Sequence, residues 1–172
     1  MIDGFGRKIS YLRISVTDRC NLRCRYCMPE EGIRLLNHSD IMSFEEIVEL
    51  TRIAVSMGIT KVKLTGGEPL VRKGIVKLVE SIAAIEGIED FGMTTNGTLL
   101  AQYAHGLADA GLKRVNISLD TINSAKYKEL TRCGCIDDVF NGIDAAKNTG
   151  FNPIKLNCVV GRFSNTSDEQ EV

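Results

Sequence analysis

Histidine is almost missing from the sequence. His38 and His105 are the only 2 imidazoles among 172 residues, so histidine-centred acid–base chemistry has few candidates. An excess of one charge is missing too. The chain carries 21 basic and 22 acidic residues, a formal net charge of -1, and this balance leaves no electrostatic footprint for nucleic acid. No apolar run is long enough to span a membrane. The opening Met1-Ile2-Asp3-Gly4-Phe5-Gly6 lacks the basic-then-apolar order of a signal peptide. The expected location is the cytoplasm in a bacterium, or the mitochondrial matrix in a eukaryote. Repeats, low-complexity tracts and linkers are also lacking. What is present is a globular composition, 44% apolar and 25% charged, sized for one domain over residues 1–172.

Against this background the cysteines stand out. Cys20, Cys24 and Cys27 lie in Cys20-Asn21-Leu22-Arg23-Cys24-Arg25-Tyr26-Cys27, a C-x3-C-x2-C pattern. Without a secretory signal, reduced thiols or metal ligation are expected rather than disulfides. Three close thiolates can hold an iron–sulfur cluster while leaving one iron without a protein ligand. Four would make an electron carrier, whereas an open coordination position is where a metal centre does chemistry. The alternative is structural zinc, which needs a remote fourth ligand: His38, Cys133, Cys135 or Cys158. Cys158 sits in an apolar run and is expected as a core thiol. Cys133-Gly134-Cys135 is expected as a pair of spare loop thiols.

The rest of the chain alternates strand and helix. Strands are expected over 12–17, 61–65, 91–95, 113–119 and 154–160. Helices are expected over 44–57, around Ile75 to Ile82, around Leu100 to Leu107, and over 124–131 and 139–148. Ser43 with Glu46 forms a capping-box pattern before the first helix, and Gly58 suits its end. This alternation implies parallel βα units. Tyr103 and Tyr127 fall at helical spacing and are expected in the core.

Strands buried on both faces of a parallel sheet usually read as continuous apolar runs. Here each strand is apolar on one face and polar on the other. The polar set is Arg13, Ser15 and Thr17; Lys63 and Thr65; Thr94 and Asn96; Asn116, Ser118 and Asp120; Lys155 and Asn157. The pattern suggests a polar, ligand-sized interior, with an ordinary sheet exposing one face to solvent as the alternative. The cysteine loop, Gly66-Gly67-Glu68-Pro69, Asn96-Gly97 and Asp120-Thr121 all follow strands, so they share one end, where α/β barrels place their sites. Gly66 and Gly67 permit close backbone approach to a ligand, and Glu68 offers an anion for an ammonium group. Cations at Arg13, Lys63 and Lys155 are costly to bury unless they meet an anion. Either a polyanionic ligand such as a triphosphate or pairing with Glu68 or Asp120 would meet that need. Arg72-Lys73 is expected as surface charge.

The cysteine pattern, with an aromatic before its last cysteine and a following strand that ends in Gly-Gly-Glu, resembles the radical S-adenosylmethionine superfamily. Within it, Gly6-Arg7, the stretch from Tyr11 to Asn21, Cys27-Met28-Pro29-Glu30, Leu64-Thr65-Gly66-Gly67-Glu68-Pro69-Leu70, Thr94-Thr95-Asn96-Gly97, Asn116-Ile117-Ser118-Leu119-Asp120 and Asn152-Pro153-Ile154-Lys155-Leu156-Asn157 resemble the GTP 3',8-cyclase family of molybdenum cofactor biosynthesis. The resemblance implies an α/β fold, a partial (β/α) barrel with five of about six strands. It implies that Cys20, Cys24 and Cys27 ligate a 4Fe-4S cluster whose remaining iron takes S-adenosylmethionine. It assigns Tyr26, Gly66, Gly67, Glu68 and Ser118 to S-adenosylmethionine, and Arg13, Lys63, Thr94 and Lys155 to GTP. At Lys63 the family usually has arginine; lysine keeps the charge but loses the planar fork. The implied enzyme is a lyase that cyclises GTP to 3',8-cyclo-7,8-dihydro-GTP with an external electron donor, as a homodimer when full length.

The resemblance also implies a second cysteine triplet, for a second 4Fe-4S cluster, in a later region that this sequence does not contain. By that comparison the chain is an incomplete radical enzyme core that ends after the stretch 164–171. It is expected to bind cluster and S-adenosylmethionine without forming product alone. An open sheet edge where the sixth strand belongs predicts poor solubility.

Overall fold

The structure, a computed structural model, describes residues 2–160. The stretch 164–171 and the side chain of His38 lie outside the described residues. The chain alternates as read from its pattern: β1 Tyr11–Ser15, α1 Phe44–Ser56, β2 Lys61–Thr65, α2 Ile75–Ala83, β3 Asp90–Thr95, α3 Leu100–Asp109, β4 Arg114–Ser118, α4 Ser124–Thr131, α5 Ile136–Asn148 and β5 Ile154–Asn157. The strands form one parallel sheet in sequential order β1-β2-β3-β4-β5. Parallel neighbours require crossovers, and here helices supply them. The architecture is thus an α/β partial barrel.

Local chemistry explains the boundaries. Ser43 Oγ accepts the amide of Glu46 at 3.1 Å, and the Glu46 carboxylate accepts the Ser43 amide at 2.6 Å, which completes the capping box of α1. Asn123 caps α4 by accepting the Lys126 amide at 3.0 Å. Asp137 and Asp138 open α5 and Lys147 closes it, each complementing the helix dipole. That helix begins at Ile136, three residues before the expected start, because Ile136 is itself a core residue. Strand β5 stops at Asn157 rather than 160. Beyond it the Val159 amide leaves the ladder and donates to the Asp120 carboxylate at 2.8 Å.

One face of the sheet carries Val62, Leu64, Met93, Val115 and Ile117, all fully buried against Ile47 of α1, Leu78 and Ile82 of α2, Leu107 of α3 and Val139 of α5. Burial of each such side chain is worth about 1.5–3 kcal/mol before entropic costs. Tyr127 joins this core, and Tyr103 packs on its margin. No helix among the described residues is long and apolar enough to cross a membrane.

Candidate functional site

The uncovered face of the sheet is layered by strand register. Arg13 pairs with Lys63, Lys63 with Gly92 and Gly92 with Arg114, so three cations share the lowest row. The middle row brings Ser15 beside Thr65, and Thr94 beside Asn116 beside Lys155. At the upper edge Ser118 lies beside Asn157. The expectation of buried cations is corrected here: Arg13 and Lys155 are exposed, and Lys63 is half-buried. This face opens to solvent because, among the described residues, no helix layer covers it. Arg13 Nη2 reaches Thr65 Oγ1 at 3.4 Å. Desolvation first, then the charges of Arg114, Arg13 and Lys155, push the Lys63 ammonium below its ordinary value.

Arg114 was not read from the sequence, although the alternation that marks Asn116 and Ser118 reaches it too. Its guanidinium lies across β3 over Gly92, where a Cβ would come within 3.1 Å of the Arg114 side chain. It closes a bidentate pair with Asp90 at 2.6 and 2.7 Å and donates to Asn116 Oδ1 at 3.2 Å. Asp90 is the carboxylate that meets a cation in this row; Glu68 and Asp120 take other partners.

Above the strands the loops converge as expected. A Cβ on Gly66 would lie 2.6 Å from the Thr17 carbonyl oxygen, and one on Gly67 would lie 2.3 Å from that of Arg19. Only glycine lets this turn seat itself, backbone on backbone, beside the residues that lead into Cys20. The Gly67 and Glu68 amides then donate to Thr17 and Arg19 at 2.7 and 2.8 Å.

Glu68 is placed differently from its expected role as a receiver of ammonium. It is 0% exposed. One carboxylate oxygen accepts the Leu70 amide at 3.0 Å and the Thr95 hydroxyl at 2.7 Å; the other accepts the Asn96 amide at 2.6 Å. The carboxylate therefore faces inward and ties the glycine turn to the end of β3, while burial pushes its pKa up.

From Asn96 the contacts continue to the cysteine loop. Its side-chain amide donates to Asn21 Oδ1 at 2.9 Å and faces Cys20 Sγ at 3.8 Å. Tyr26, inside the loop, donates its hydroxyl to Asp120 Oδ2 at 2.6 Å, and burial with this bond drives the phenol well above its usual range. Cys158 is not a core thiol but half-buried, with its Sγ 3.6 Å from the Asp120 carbonyl oxygen. Cys133, expected as a spare thiol, donates to the Asn21 carbonyl at 3.4 Å and so touches the cysteine loop. A cavity of about 590 Å³ lies outside this face, between Thr17, Arg19, Ser43, Phe44 and Arg72. There Arg72 is committed to the fold: it stacks on Phe44 and donates to the carbonyls of Val16 and Met42 at 2.6 Å each.

Cys20, Cys24 and Cys27 are free thiols at the rim. Desolvation, then the neighbouring Cys27 and Cys20, push the Cys24 thiol up to about 12. Burial raises Cys20 and Cys27 as well. Three sulfurs that disfavour each other's charge in one loop suit a cationic centre, which deprotonates coordinating thiols. Among the described residues no three His, Cys, Asp or Glu side chains converge tightly enough for a single metal ion. Three cysteine thiols in one loop are the donor type that iron–sulfur clusters take.

A partial barrel of parallel βα units with a cysteine loop and a glycine turn at one rim defines a class of α/β proteins with the site at the carboxyl ends of the strands. The comparisons agree. The chain belongs to the Radical SAM superfamily, whose sequence model matches residues 14–172. That membership implies S-adenosylmethionine and a 4Fe-4S cluster. Streptococcus suis SuiB bound to S-adenosylmethionine shares the fold, with a TM-score of 0.75 at 21% identity over 94% of this chain and 35% of that one. HydG, a maturase of the [FeFe]-hydrogenase, does so at 0.74 and 18% over 92% of this chain and 36% of that one. The chain is 59% identical over 169 residues to a GTP 3',8-cyclase of Thermodesulfovibrio yellowstonii, covering 98% of this chain and 52% of that protein. It is 54% identical to one of Peptoclostridium acidaminophilum, covering 100% and 53%. The chain thus spans about half the length of these curated relatives.

Proposed function

We propose that the chain carries the cluster- and S-adenosylmethionine-binding part of a GTP 3',8-cyclase, and that its open sheet face receives GTP. The observation that carries this reading is the layering of one face, with Arg13, Lys63 and Arg114 in the lowest row, small polar groups and Lys155 above them and thiols at the rim. Identities of 59% and 54% to relatives of that name support it.

In this reading Cys20, Cys24 and Cys27 hold the cluster. When bound, the cluster and S-adenosylmethionine supply the radical chemistry that joins the ribose of GTP to C8 of its guanine. The residues of the chain do the positioning. Gly66 and Gly67 present backbone to S-adenosylmethionine, and Tyr26, fixed by Asp120, and Ser118 border the same place. Glu68 serves this ligand indirectly, by anchoring the glycine turn. Arg13, Lys63 and Lys155 offset the triphosphate, and Thr94 in the middle row faces the sugar. Electrons come from an external donor. The reading places the reaction in the cytoplasm of a bacterium, with a homodimer as the full-length assembly.

We further propose that residues 1–172 form the radical enzyme core and that catalysis needs a second cluster. The sequence has one C-x3-C-x2-C triplet, and Cys133, Cys135 and Cys158 do not make another. The test is anaerobic reconstitution of the purified chain, iron and sulfide analysis, and calorimetric titration with GTP. One cluster per chain and GTP binding weakened by Arg13→Ala are expected, without cyclised product. A chain that takes up no iron and sulfide overturns the reading. Binding of a cluster without GTP points to another radical enzyme, and product from the chain alone refutes the need for a second cluster.

A further inference from the structure

The corner between α4 and α5 grips the cysteine loop at residues the glycine turn does not touch. The main chain of α4 begins the contact: the Arg23 amide donates to the Thr131 carbonyl at 3.1 Å and the Arg25 amide to the Leu130 carbonyl at 3.0 Å. Arg25 and Glu129 add an ion pair between exposed side chains. At Gly134 a Cβ would approach Leu22 of the loop to 3.0 Å, and Tyr127 and Thr131 to 2.8 Å. Between these contacts stands Arg132. It is the one non-glycine residue with a positive φ among the described residues, at 65°. That backbone state is rare for a side chain of this size and persists only where surrounding contacts hold it.

The holding contacts are on the guanidinium. Arg132 Nη1 donates to the Arg23 carbonyl at 2.7 Å and to the Met28 carbonyl at 3.0 Å. Arg23 precedes Cys24 and Met28 follows Cys27, so one group bridges the two ends of the segment that carries both cysteines. Arg23 itself performs the matching task at the start of the loop, donating to the Cys20 carbonyl at 2.8 Å and the Leu22 carbonyl at 2.9 Å. A loop that curls its sulfurs towards one centre turns carbonyls outward, and these need donors.

We propose that Arg132 is a positioning residue for the cluster: by bridging the carbonyls of Arg23 and Met28 it fixes the separation of Cys24 and Cys27 before iron binds. The proposal rests on the cluster chemistry of the superfamily and not on GTP as substrate, so it stands or falls separately from the cyclase reading. Both bonds leave one nitrogen, Nη1, so a lysine ammonium with its three donors keeps part of the clamp, while glutamine and glycine lose it. The cluster in an Arg132 variant should therefore form but sit in a looser loop.

The test compares Arg132→Gln, Arg132→Lys and Arg132→Gly in the reconstituted chain. Arg132→Gly accepts the positive φ without strain while deleting the clamp, so it separates backbone from guanidinium and guards against misfolding. The rate of iron loss to an excess of chelator is expected to rise about ten-fold in both Arg132→Gln and Arg132→Gly, and less in Arg132→Lys. The electron paramagnetic resonance signal of the reduced cluster, with and without S-adenosylmethionine, should broaden in the first two and recover in Arg132→Lys. Circular dichroism of the metal-free Arg132→Gly chain should match the wild type. Wild-type iron retention and spectra in Arg132→Gln and Arg132→Gly overturn the proposal. So does wild-type behaviour in Arg132→Gly alone, because the corner's backbone would then be what matters.

Discussion

Gly67→Ala should damage the fold and the cluster loop together. The added Cβ would sit 2.3 Å from the Arg19 carbonyl oxygen, 2.7 Å from its carbon and 3.0 Å from the Asp18 carbonyl oxygen. All three are backbone atoms, so no side-chain rotation relieves the clash. Ordinary contact requires the turn and the 17–19 segment to separate by about 1 Å. That separation breaks the Gly67 and Glu68 amide bonds to Thr17 and Arg19, at 2.7 and 2.8 Å. Each is worth about 1 kcal/mol, and the overpacking adds about 1–3 kcal/mol. A loss of about 3–5 kcal/mol lowers the melting temperature of a domain this size by about 10 °C or more. Gly106→Ala is the control. There a Cβ meets Val76 at 3.7 Å inside α3, and the change should raise stability by about 0.5–1 kcal/mol. Thermal melts of the metal-free chains, followed by iron analysis after reconstitution, read both effects. A Gly67→Ala chain that melts with the wild type and loads full iron refutes the backbone-on-backbone account of this turn.

Three further outcomes follow from the same geometry. Lys63→Arg should tighten GTP binding about three-fold by restoring a planar fork, and Lys63→Met should weaken it about ten-fold, equivalent to about 1.4 kcal/mol, by calorimetry. Because Lys63 titrates below its ordinary value, wild-type affinity should fall as pH rises towards the lysine range, and the arginine variant should hold it. Ser43→Ala removes the acceptor for the Glu46 amide and should cost about 1 kcal/mol, seen as a melting temperature about 2–4 °C lower. Arg114 holds the Asp90 carboxyl below the usual carboxylate range, so its stabilisation is present above the unfolded value of about 3.9 and is lost as pH falls through the folded one. With side chains 13% and 28% exposed, the pair is worth about 1 kcal/mol near neutrality. Denaturant titrations should show wild type and Asp90→Asn converging as pH falls below the ordinary carboxylate range.

The fold was legible because its signals are local and periodic. The spans of β2 and α4 match the expected ones, since local patterns mark them without help from distant residues. The polar face was legible for the same reason. What sequence could not give is which of two satisfied states a side chain takes. Glu68 reads equally as a ligand for an ammonium group and as an anchor; the amides of Leu70 and Asn96, brought together by β2 and β3, decide for the anchor. Arg13 and Lys155 read as buried because burial on this face depends on cover from elsewhere, which no strand pattern encodes. Cys133 read as a spare loop thiol and Arg132 was not singled out, because their partners, at Arg23, Met28 and Asn21, lie more than 100 positions away.

The two parts of the site are built on opposite principles. The cysteine loop is braced on several sides: by the glycine turn below the Arg19 carbonyl, by Asn96 and Asn21, by Asp120 through Tyr26, and by the α4–α5 corner. A set of thiols fixed in this way loses little freedom when metal arrives, which favours loading. The cation row is the reverse. Arg13, Lys63 and Arg114 stand side by side in register, and their neighbours, with desolvation, already depress the Lys63 ammonium. Like charges placed so close weaken a fold rather than support it. Asp90 answers one of them, Arg114. In the proposed reading, a triphosphate supplies the negative charge that this row lacks.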